Sequence, residues 1–280
     1  MTARLHAGAG RWGWSGRRRI NMADMEHDPL VLDAVAGAVD RVGRVWNGYE
    51  LRGVEHIPQD QPALLVVYHG LVPLDCWYLI ARLYREHGIH LRALADRWLF
   101  RAPGLARLCR TAGAIPAEPG AALRLLRAGH LVIVAPGGVR EAISGRSRRY
   151  RVTWGQRLGF ARLALEADVP LIPVFGEGVE ELYRAPLAGW APLDALYEQT
   201  RLPLVPVVGL GALPFPVRVR TWIGEPLYAR DTEGPGALRD RVEASLQALI
   251  DEHQAGSPRL LRGLVDRWRS PWVPCTEEAL

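Results

Sequence analysis

The sequence predicts an α/β fold in which a layered mixed sheet is flanked by helices. Short apolar runs of strand length alternate along the chain with stretches of helical periodicity, the pattern of a sheet covered by helices. The chain has 280 residues, 49% of them hydrophobic and 23% charged, with a mean hydropathy of -0.03, which is typical of a globular chain with a sizeable core. No apolar run approaches the roughly 18–20 residues needed to span a bilayer.

The predicted elements follow one another from an N-terminal helix to a basic C-terminal helix. In segment 28–50, Val31, Val35, Val39 and Trp46 recur at helical spacing, and a proline at position 29 suits the first turn. Segment 184–216, which we call the excursion, is rich in Pro, Gly and Leu, and we expect an irregular loop or an excursion near an active site. The other expected helices are 74–87, 118–128, 154–167, 236–254 and 258–269, and the expected strands are 49–57, 63–68, 90–95, 131–135, 170–175 and 218–223.

Three regions are expected along the chain. Residues 1–27, rich in Gly, Arg and Trp and without periodicity, are predicted to form a disordered basic arm. Residues 28–254 are predicted to form one domain, because no linker or internal repeat divides them. Residues 255–280 are predicted to form a basic amphipathic tail.

Composition restricts the chemistry. All 35 basic residues are arginine, which excludes a Walker A lysine, a Schiff-base lysine and a lysine general base. The net charge of +5 suits an anionic partner such as a phosphate, a membrane surface or nucleic acid, and the alternative is an Arg-rich surface without that role. Three cysteines without a Cys-x-x-Cys pair predict neither a zinc site nor a disulfide framework, as in a reducing cytosol.

A histidine leaves the end of the first buried run, and an aspartate follows six residues later. Because six positions on a regular helix lie about 120° out of alignment, His69 and Asp75 can meet only across the Gly- and Pro-containing turn between them. In that arrangement the imidazole is a candidate general base, with the carboxylate fixing its tautomer. The alternative is a capping Asp75 beside an exposed His69, and His90 and Asp96 show the same separation without that context.

A glycine pair ends the third buried run. Gly137 and Gly138 would allow close backbone approach to an anion, and Arg140 would present its guanidinium at the carboxyl end of a strand, with Glu141 next to it. The alternative is a tight turn with a surface Arg–Glu pair. Arg149 belongs to a following run of four arginines, which is either a solvated surface or a phosphate-facing lip.

In this order the two motifs resemble those of the lysophospholipid acyltransferase (glycerolipid acyltransferase) superfamily. That family has His-x4-Asp, whereas five residues separate His69 from Asp75, and Gly137 stands where the family's Phe-Pro-Glu-Gly-Thr-Arg motif has Glu. Both departures are similar to the branch that contains the type 2 diacylglycerol acyltransferases. Segments 53–58, 113–116, 157–175 and 223–227 resemble further family blocks, so that the likeness spans roughly residues 50–230.

The resemblance implies an O-acyltransferase that moves a fatty acyl group from acyl-CoA or acyl carrier protein to a glycerolipid or lysophospholipid hydroxyl. Acyl-CoA is then a co-substrate, and neither a cofactor nor a metal is expected. The second block lacks the arginine of glycerol-phosphate acyltransferases, which leaves a neutral or lysophospholipid acceptor. The implied catalytic residues are His69 and Asp75, and the implied substrate-binding residues are Gly137, Gly138, Arg140, Glu141 and Arg149.

The expected partners are an acyl thioester donor, a lipid acceptor and a membrane surface, with the protein attached peripherally to the cytoplasmic face. Segment 258–269 gathers leucines and Trp268 on one face and arginines opposite, as in an interfacial helix, and the alternative is docking of that face onto the domain core. Segment 28–50 is a second membrane candidate. A non-catalytic lipid or acyl-CoA binder on the same fold is the main competing function. A nucleic-acid binder ranks low, because the chain lacks a recognised motif and an aromatic stacking pattern.

Overall fold

The computed structural model describes residues 29–101, 103–138, 141, 149–200, 205–211, 213–230, 232–254 and 260–269. They contain a seven-stranded sheet of order β1-β7-β6-β2-β5-β3-β4, in which only β6 and β7 pair antiparallel. The predicted mixed sheet flanked by helices is thereby confirmed. The strands are β1 (Glu50–Arg52), β2 (Leu64–Tyr68), β3 (Leu91–Ala95), β4 (Ala114–Pro116), β5 (Leu131–Val134), β6 (Leu171–Glu177) and β7 (Arg220–Ile223).

Eight α-helices lie in the described residues, together with three short 3₁₀ turns at Val54–His56, Arg97–Phe100 and Val179–Glu181. None of these helices combines the length and apolarity needed to cross a bilayer. The α-helices are α1 (Pro29–Asn47), α2 (Leu74–His87), α3 (Pro103–Thr111), α4 (Pro119–Arg127), α5 (Gly159–Ala167), α6 (Ala191–Thr200), α7 (Pro235–His253) and α8 (Leu260–Arg269).

Helices cover both faces of the sheet, which explains the continuous apolar run of β2. All five β2 residues are buried. Leu64 and Val66 belong to the hydrophobic cluster that includes α4, α5 and α7, whereas Leu65 and Val67 belong to the cluster that includes α2. Because successive strand side chains point to opposite faces, a strand buried on both faces must be apolar throughout.

The parallel strands β2, β5 and β6 finish at the same end of the sheet, which we call the carboxyl end. Strand β7 runs against β6, with Arg220 opposite Glu177, so β7 begins at this end. Strand β1 also begins there, because Glu50 pairs with Arg220, and α1 therefore ends there. The loops after β2, β5 and β6 meet at the carboxyl end, where ligands commonly bind in α/β sheets.

Two predicted segments differ from the structure because of glycines with positive φ. The helix predicted over 154–167 begins only at Gly159, since Gly155 has a φ of +58° and the buried Trp154 lies in the preceding loop. The extended segment predicted over 49–57 forms a strand only to Arg52, because Gly53 has a φ of +80° and a 3₁₀ turn follows it.

Three elements go beyond the sequence prediction. The excursion contains helix α6, while α3 and the three-residue strand β4 were predicted neither as helix nor as strand. The predicted arm, residues 1–27, lies outside the described residues. So do positions 255–259 and 270–280 of the predicted tail.

Candidate active site

His69 leaves β2 at the carboxyl end, and a neighbouring carbonyl holds its ring. The Nδ1–H of His69 donates a hydrogen bond to the main-chain oxygen of Gly70 at 2.6 Å. Burial lowers the pKa of His69 below its usual 6.5, against a smaller raising effect of this hydrogen bond. The ring is therefore neutral at pH 7, with its proton on Nδ1 and a free lone pair on Nε2.

Gly70 is required by a close backbone approach. A Cβ at this position would lie 2.7 Å from the carbonyl oxygen of Val179, in the 3₁₀ turn that follows β6. The next residue, Leu71, packs against Ala185 and Val205 of the excursion. The loop that carries His69 is therefore fixed between the end of β6 and the base of the excursion.

Asp75 lies in the first turn of α2 and is 2% exposed. Burial raises the pKa of its carboxyl to about 7, although main-chain N–H groups of Asp75 and Cys76 donate to it and lower the pKa in part. Its Oδ1 has no hydrogen-bond partner among the described residues. A Cβ on Gly176 of β6 would lie 3.2 Å from Oδ2, so that strand approaches the carboxyl closely.

No hydrogen bond or ion pair joins His69 to Asp75 in the described part of the chain, and the Nδ1 proton of His69 goes to the Gly70 carbonyl instead. The pair with the same spacing, His90 and Asp96, is structural. Asp96 caps a 3₁₀ turn by accepting from the Trp98 N–H at 3.2 Å, and His90 packs edge-on against a tyrosine.

The glycine pair after β5 lies in a turn whose main-chain groups are hydrogen-bonded within the protein. The Gly138 N–H donates to the oxygen of Ala135 at 3.1 Å, and the residue has a φ of +54°. The Arg157 guanidinium donates to the Pro136 oxygen at 2.6 Å and also to the Gly137 oxygen. Arg157, which the sequence analysis did not identify as a site residue, thus fixes the turn.

Glu141 packs beneath this turn. A Cβ on Gly137 would lie 1.8 Å from Glu141 Oε2, so only glycine fits there. Glu141 Oε1 accepts from the Thr153 N–H at 2.8 Å, and burial raises the pKa of the carboxyl to about 7. The predicted phosphate ligand between them, Arg140, lies outside the described residues.

A buried network of tyrosines and glutamates lies behind the His69 loop. The hydroxyl of Tyr68 donates to Glu180 at 2.5 Å, and the hydroxyl of Tyr150 donates to Glu181 at 2.5 Å. The main-chain N–H of Tyr150 donates to the Tyr68 hydroxyl at 2.9 Å, linking the two halves. Arg149, predicted to bind substrate, points inward, with its Nε 3.7 Å from Glu180. Burial raises the pKa of both glutamates.

The other four residues of this network were not predicted as site residues. Two consecutive carboxylates a few residues after a buried strand were a usable signal for Glu180 and Glu181. Tyr68 gave none, because an aromatic residue at the end of an apolar run is ordinary core composition, and Tyr150 gave none because it follows a run of arginines. The carboxyl end thus combines a neutral imidazole, a glycine turn and four buried carboxyl groups. An imidazole in this state can take a proton from a hydroxyl.

Comparisons with known proteins point to one family. The Acyltransferase family model matches residues 48–176, which include His69, Asp75 and the turn at Gly137. A Bos taurus protein named "DGAT1/2-independent enzyme synthesizing storage lipids" is 36% identical over 236 residues, covering 84% of this chain and 69% of that protein. The Gallus gallus protein of the same name is 41% identical over 231 residues, covering 82% and 68%.

More distant relatives agree in sequence or in fold. An uncharacterized protein of Mycobacterium tuberculosis is 32% identical over 233 residues, covering 78% of this chain and 65% of that protein. The crystal structure of the 1-acyl-sn-glycerophosphate acyltransferase PlsC from Thermotoga maritima has the same fold, with a TM-score of 0.55 at 19% identity, covering 84% and 86% of the two chains. The chain belongs to the Acyltransferase family, within the glycerolipid acyltransferase superfamily, and is an acyltransferase of lipid metabolism.

Proposed function

We propose that the protein is an O-acyltransferase that moves a fatty acyl group from an acyl-CoA or acyl carrier protein thioester to the hydroxyl of a glycerolipid or lysophospholipid. The observation that carries the proposal is the neutral His69 ring, with Nδ1 bound to the Gly70 oxygen at 2.6 Å and Nε2 unprotonated. His69 Nε2 takes the hydroxyl proton as the acceptor oxygen attacks the thioester carbonyl. Collapse of the tetrahedral adduct breaks the C–S bond, and the imidazolium returns the proton to the leaving thiolate.

Asp75 is the proposed partner of the imidazolium. Its Oδ1 is buried and has no hydrogen-bond partner among the described residues, so it has an acceptor to offer the Nδ1–H once the ring turns away from Gly70. A carboxylate in a low-dielectric setting stabilises a neighbouring positive charge more strongly than it would in water.

The glycine turn is the proposed stabiliser of negative charge. The Gly138 N–H is already used within the turn, so the Gly137 N–H is the candidate donor to the oxyanion. Arg140 is the proposed ligand of a donor or acceptor phosphate. The inward contact of Arg149 with Glu180 favours a role in holding that glutamate over direct substrate binding.

A neutral or lysophospholipid acceptor is favoured over a glycerol phosphate. The chain has Gly137 in place of the family's usual glutamate and lacks the arginine after 113–116. Relatives that are 36–41% identical carry a name that refers to the synthesis of storage lipids, and this supports the neutral acceptor.

The test measures thiol release from long-chain acyl-CoA across a panel of lysophosphatidate, diacylglycerol, monoacylglycerol, lysophosphatidylinositol and long-chain alcohols. A general base typically raises the rate by a factor of about 10²–10⁴. His69→Ala should therefore lower the turnover rate by that factor while retaining lipid binding. The matched control is His87→Ala, an exposed histidine at the end of α2, which should retain full activity. Undiminished turnover in His69→Ala, or no turnover by the wild type with any acceptor, would contradict the proposal.

We also propose peripheral attachment to the cytoplasmic face of a membrane. The support is helix α8, whose two sides are both apolar. Leu260 and Leu264 pack against the core, whereas Leu261 and Trp268 are 78% exposed and Val265 is 44% exposed between them. The two alternatives for this helix therefore do not exclude each other. One side docks onto the domain, and the opposite side is free to contact lipid.

Attachment through α8 should depend on charge as well as on apolar area. Arg262 and Arg269 are exposed beside the outer stripe of Leu261, Val265 and Trp268. The protein should sediment with anionic vesicles at low salt and be released at high salt, because screening weakens the attraction of arginines to anionic lipid. Failure to bind anionic vesicles at low salt would count against this attachment.

A further inference from the structure

The excursion carries a concentration of exposed apolar side chains. Sixteen large apolar residues are exposed in the described part of the chain, and seven of them lie in the excursion. The excursion has only four charged residues among its 33, two of each sign. A concentration of exposed apolar side chains is typical of an interaction site. The seven are Leu187, Trp190, Leu196, Val207, Val208, Leu210 and Leu213.

Two of these side chains flank a tight turn. The N–H of Leu210 donates to the oxygen of Leu213 at 2.9 Å, and the reverse hydrogen bond measures 3.3 Å. Both leucines are 50% exposed. Behind the turn, Arg184 and Val208 exchange two main-chain hydrogen bonds of 2.8 and 2.7 Å. The turn therefore presents leucine side chains while these backbone groups are satisfied internally, which a segment that enters lipid requires.

The excursion stands beside the proposed catalytic loop. Leu71, two residues after His69, packs against Ala185 and Val205 at the base of the excursion. The C-terminal end of the excursion is bound to the end of α1, because the Trp46 indole donates a hydrogen bond to the Pro214 oxygen at 2.9 Å. Both attachments lie at the carboxyl end of the sheet.

Helix α8 lies at the same end. Gly263 of α8 accepts from the Arg218 N–H at 3.4 Å, just before the start of β7. At the opposite end of the sheet, exposed Tyr228 follows Leu227, which is bridged to Leu171 at the start of β6. The apolar turn, the basic α8 and the His69 loop thus share one end of the molecule. Arginines beside exposed Trp268 complement an anionic lipid surface.

We propose that the Leu210–Leu213 turn of the excursion inserts into the lipid bilayer and, together with the outer stripe of α8, sets the carboxyl end of the sheet against the membrane. The His69 loop then faces the bilayer from which a lipid acceptor is drawn. This inference rests on the proposed function, because lipid substrates give the orientation its purpose.

The test compares Leu210→Ser/Leu213→Ser with the control Tyr228→Ser, which removes an exposed side chain at the opposite end. Binding to phosphatidylcholine/phosphatidylglycerol vesicles is measured by flotation. Removing two half-exposed leucine side chains from contact with lipid should weaken the vesicle affinity of the double variant about tenfold to a hundredfold. Tyr228→Ser should bind vesicles as the wild type does. Thiol release should fall with vesicle-borne acceptor and stay unchanged with a soluble short-chain acceptor, which shows that the folded active site is intact.

Equal vesicle affinity of the double variant and the control would overturn the inference. So would a wild-type dimer in light scattering that the double variant converts to monomers, because a second copy would then be the occupant of this surface. A wild type that binds vesicles through the turn without turning over any acceptor would refute the proposed function and leave the docking surface standing.

Discussion

Replacing Asp75 with asparagine should stabilise the folded protein at pH 8, and this advantage over the wild type should shrink as the pH falls. The carboxyl is 2% exposed, and burial raises its pKa from 3.8 to about 7. The native state therefore holds the Asp75 proton more tightly than the unfolded chain does, and the wild type loses stability as the pH rises from 4 to 7. Asparagine cannot ionise, so the variant escapes this loss.

The magnitude follows from the shift. About three pKa units at roughly 1.4 kcal/mol each correspond to a penalty of about 4 kcal/mol when Asp75 is ionised. The amide N–H would occupy a site without an acceptor, at a cost of about 2 kcal/mol that does not depend on pH. We therefore expect a net gain of about 2 kcal/mol at pH 8. Between pH 5 and pH 8 the advantage of the variant should grow by about 2–3 kcal/mol.

Urea unfolding followed by circular dichroism at pH 5, 6, 7 and 8 gives the free energies of unfolding. Asp240→Asn is the matched control for loss of a carboxylate, because its side chain is 67% exposed and the burial argument does not apply to it. An advantage of Asp75→Asn that stays constant or shrinks with rising pH would refute the burial argument. Thiol release by the same variant should fall, so stability and activity should move in opposite directions.

Three further outcomes follow from the site. The pH profile of kcat/KM should have its half-maximum below 6.5, the usual pKa of histidine, since burial lowers the pKa of His69; a half-maximum above 6.5 contradicts a neutral base. Gly137→Ala should lower the free energy of unfolding by about 1–3 kcal/mol in urea, because its Cβ would overlap the buried Glu141 carboxylate. Tyr150→Phe should lower the free energy of unfolding by about 2 kcal/mol, because the Glu181 carboxylate loses a buried hydrogen-bond donor. Thermal unfolding measures this effect, and an unchanged Tm would contradict it.

The central strands could be predicted from the sequence because each is buried on both faces. Segments 63–68, 131–135 and 170–175 are continuous apolar runs, and the structure has β2, β5 and β6 at these positions. Strands β1 and β4 have three residues each, too short for a periodic signal. The late start of α5 depended on Gly155, whose positive φ the local sequence does not reveal.

The site was predictable only as far as its motifs are local in sequence. His69 and the Gly137–Gly138 turn stand directly after strands, and the order of strands brings them to one end of the sheet. The network around Tyr68 joins residues 112 positions apart, through Glu180. Contacts of that range depend on which strands become neighbours, and no spacing rule within one segment gives that information.

The relation between His69 and Asp75 shows why a correct motif does not specify a geometry. The ring has a single Nδ1 proton, and the motif offers two acceptors: the Gly70 carbonyl in the loop and the Asp75 carboxyl in the first turn of α2. A carboxyl whose pKa is raised to about 7 is largely protonated in weakly acidic solution, and a protonated carboxyl accepts more weakly than a carboxylate. The adjacent carbonyl then holds the proton, as the 2.6 Å hydrogen bond shows. Burial raises the pKa of Asp75, and the packing around α2 that causes this burial is not visible in the spacing of the two residues.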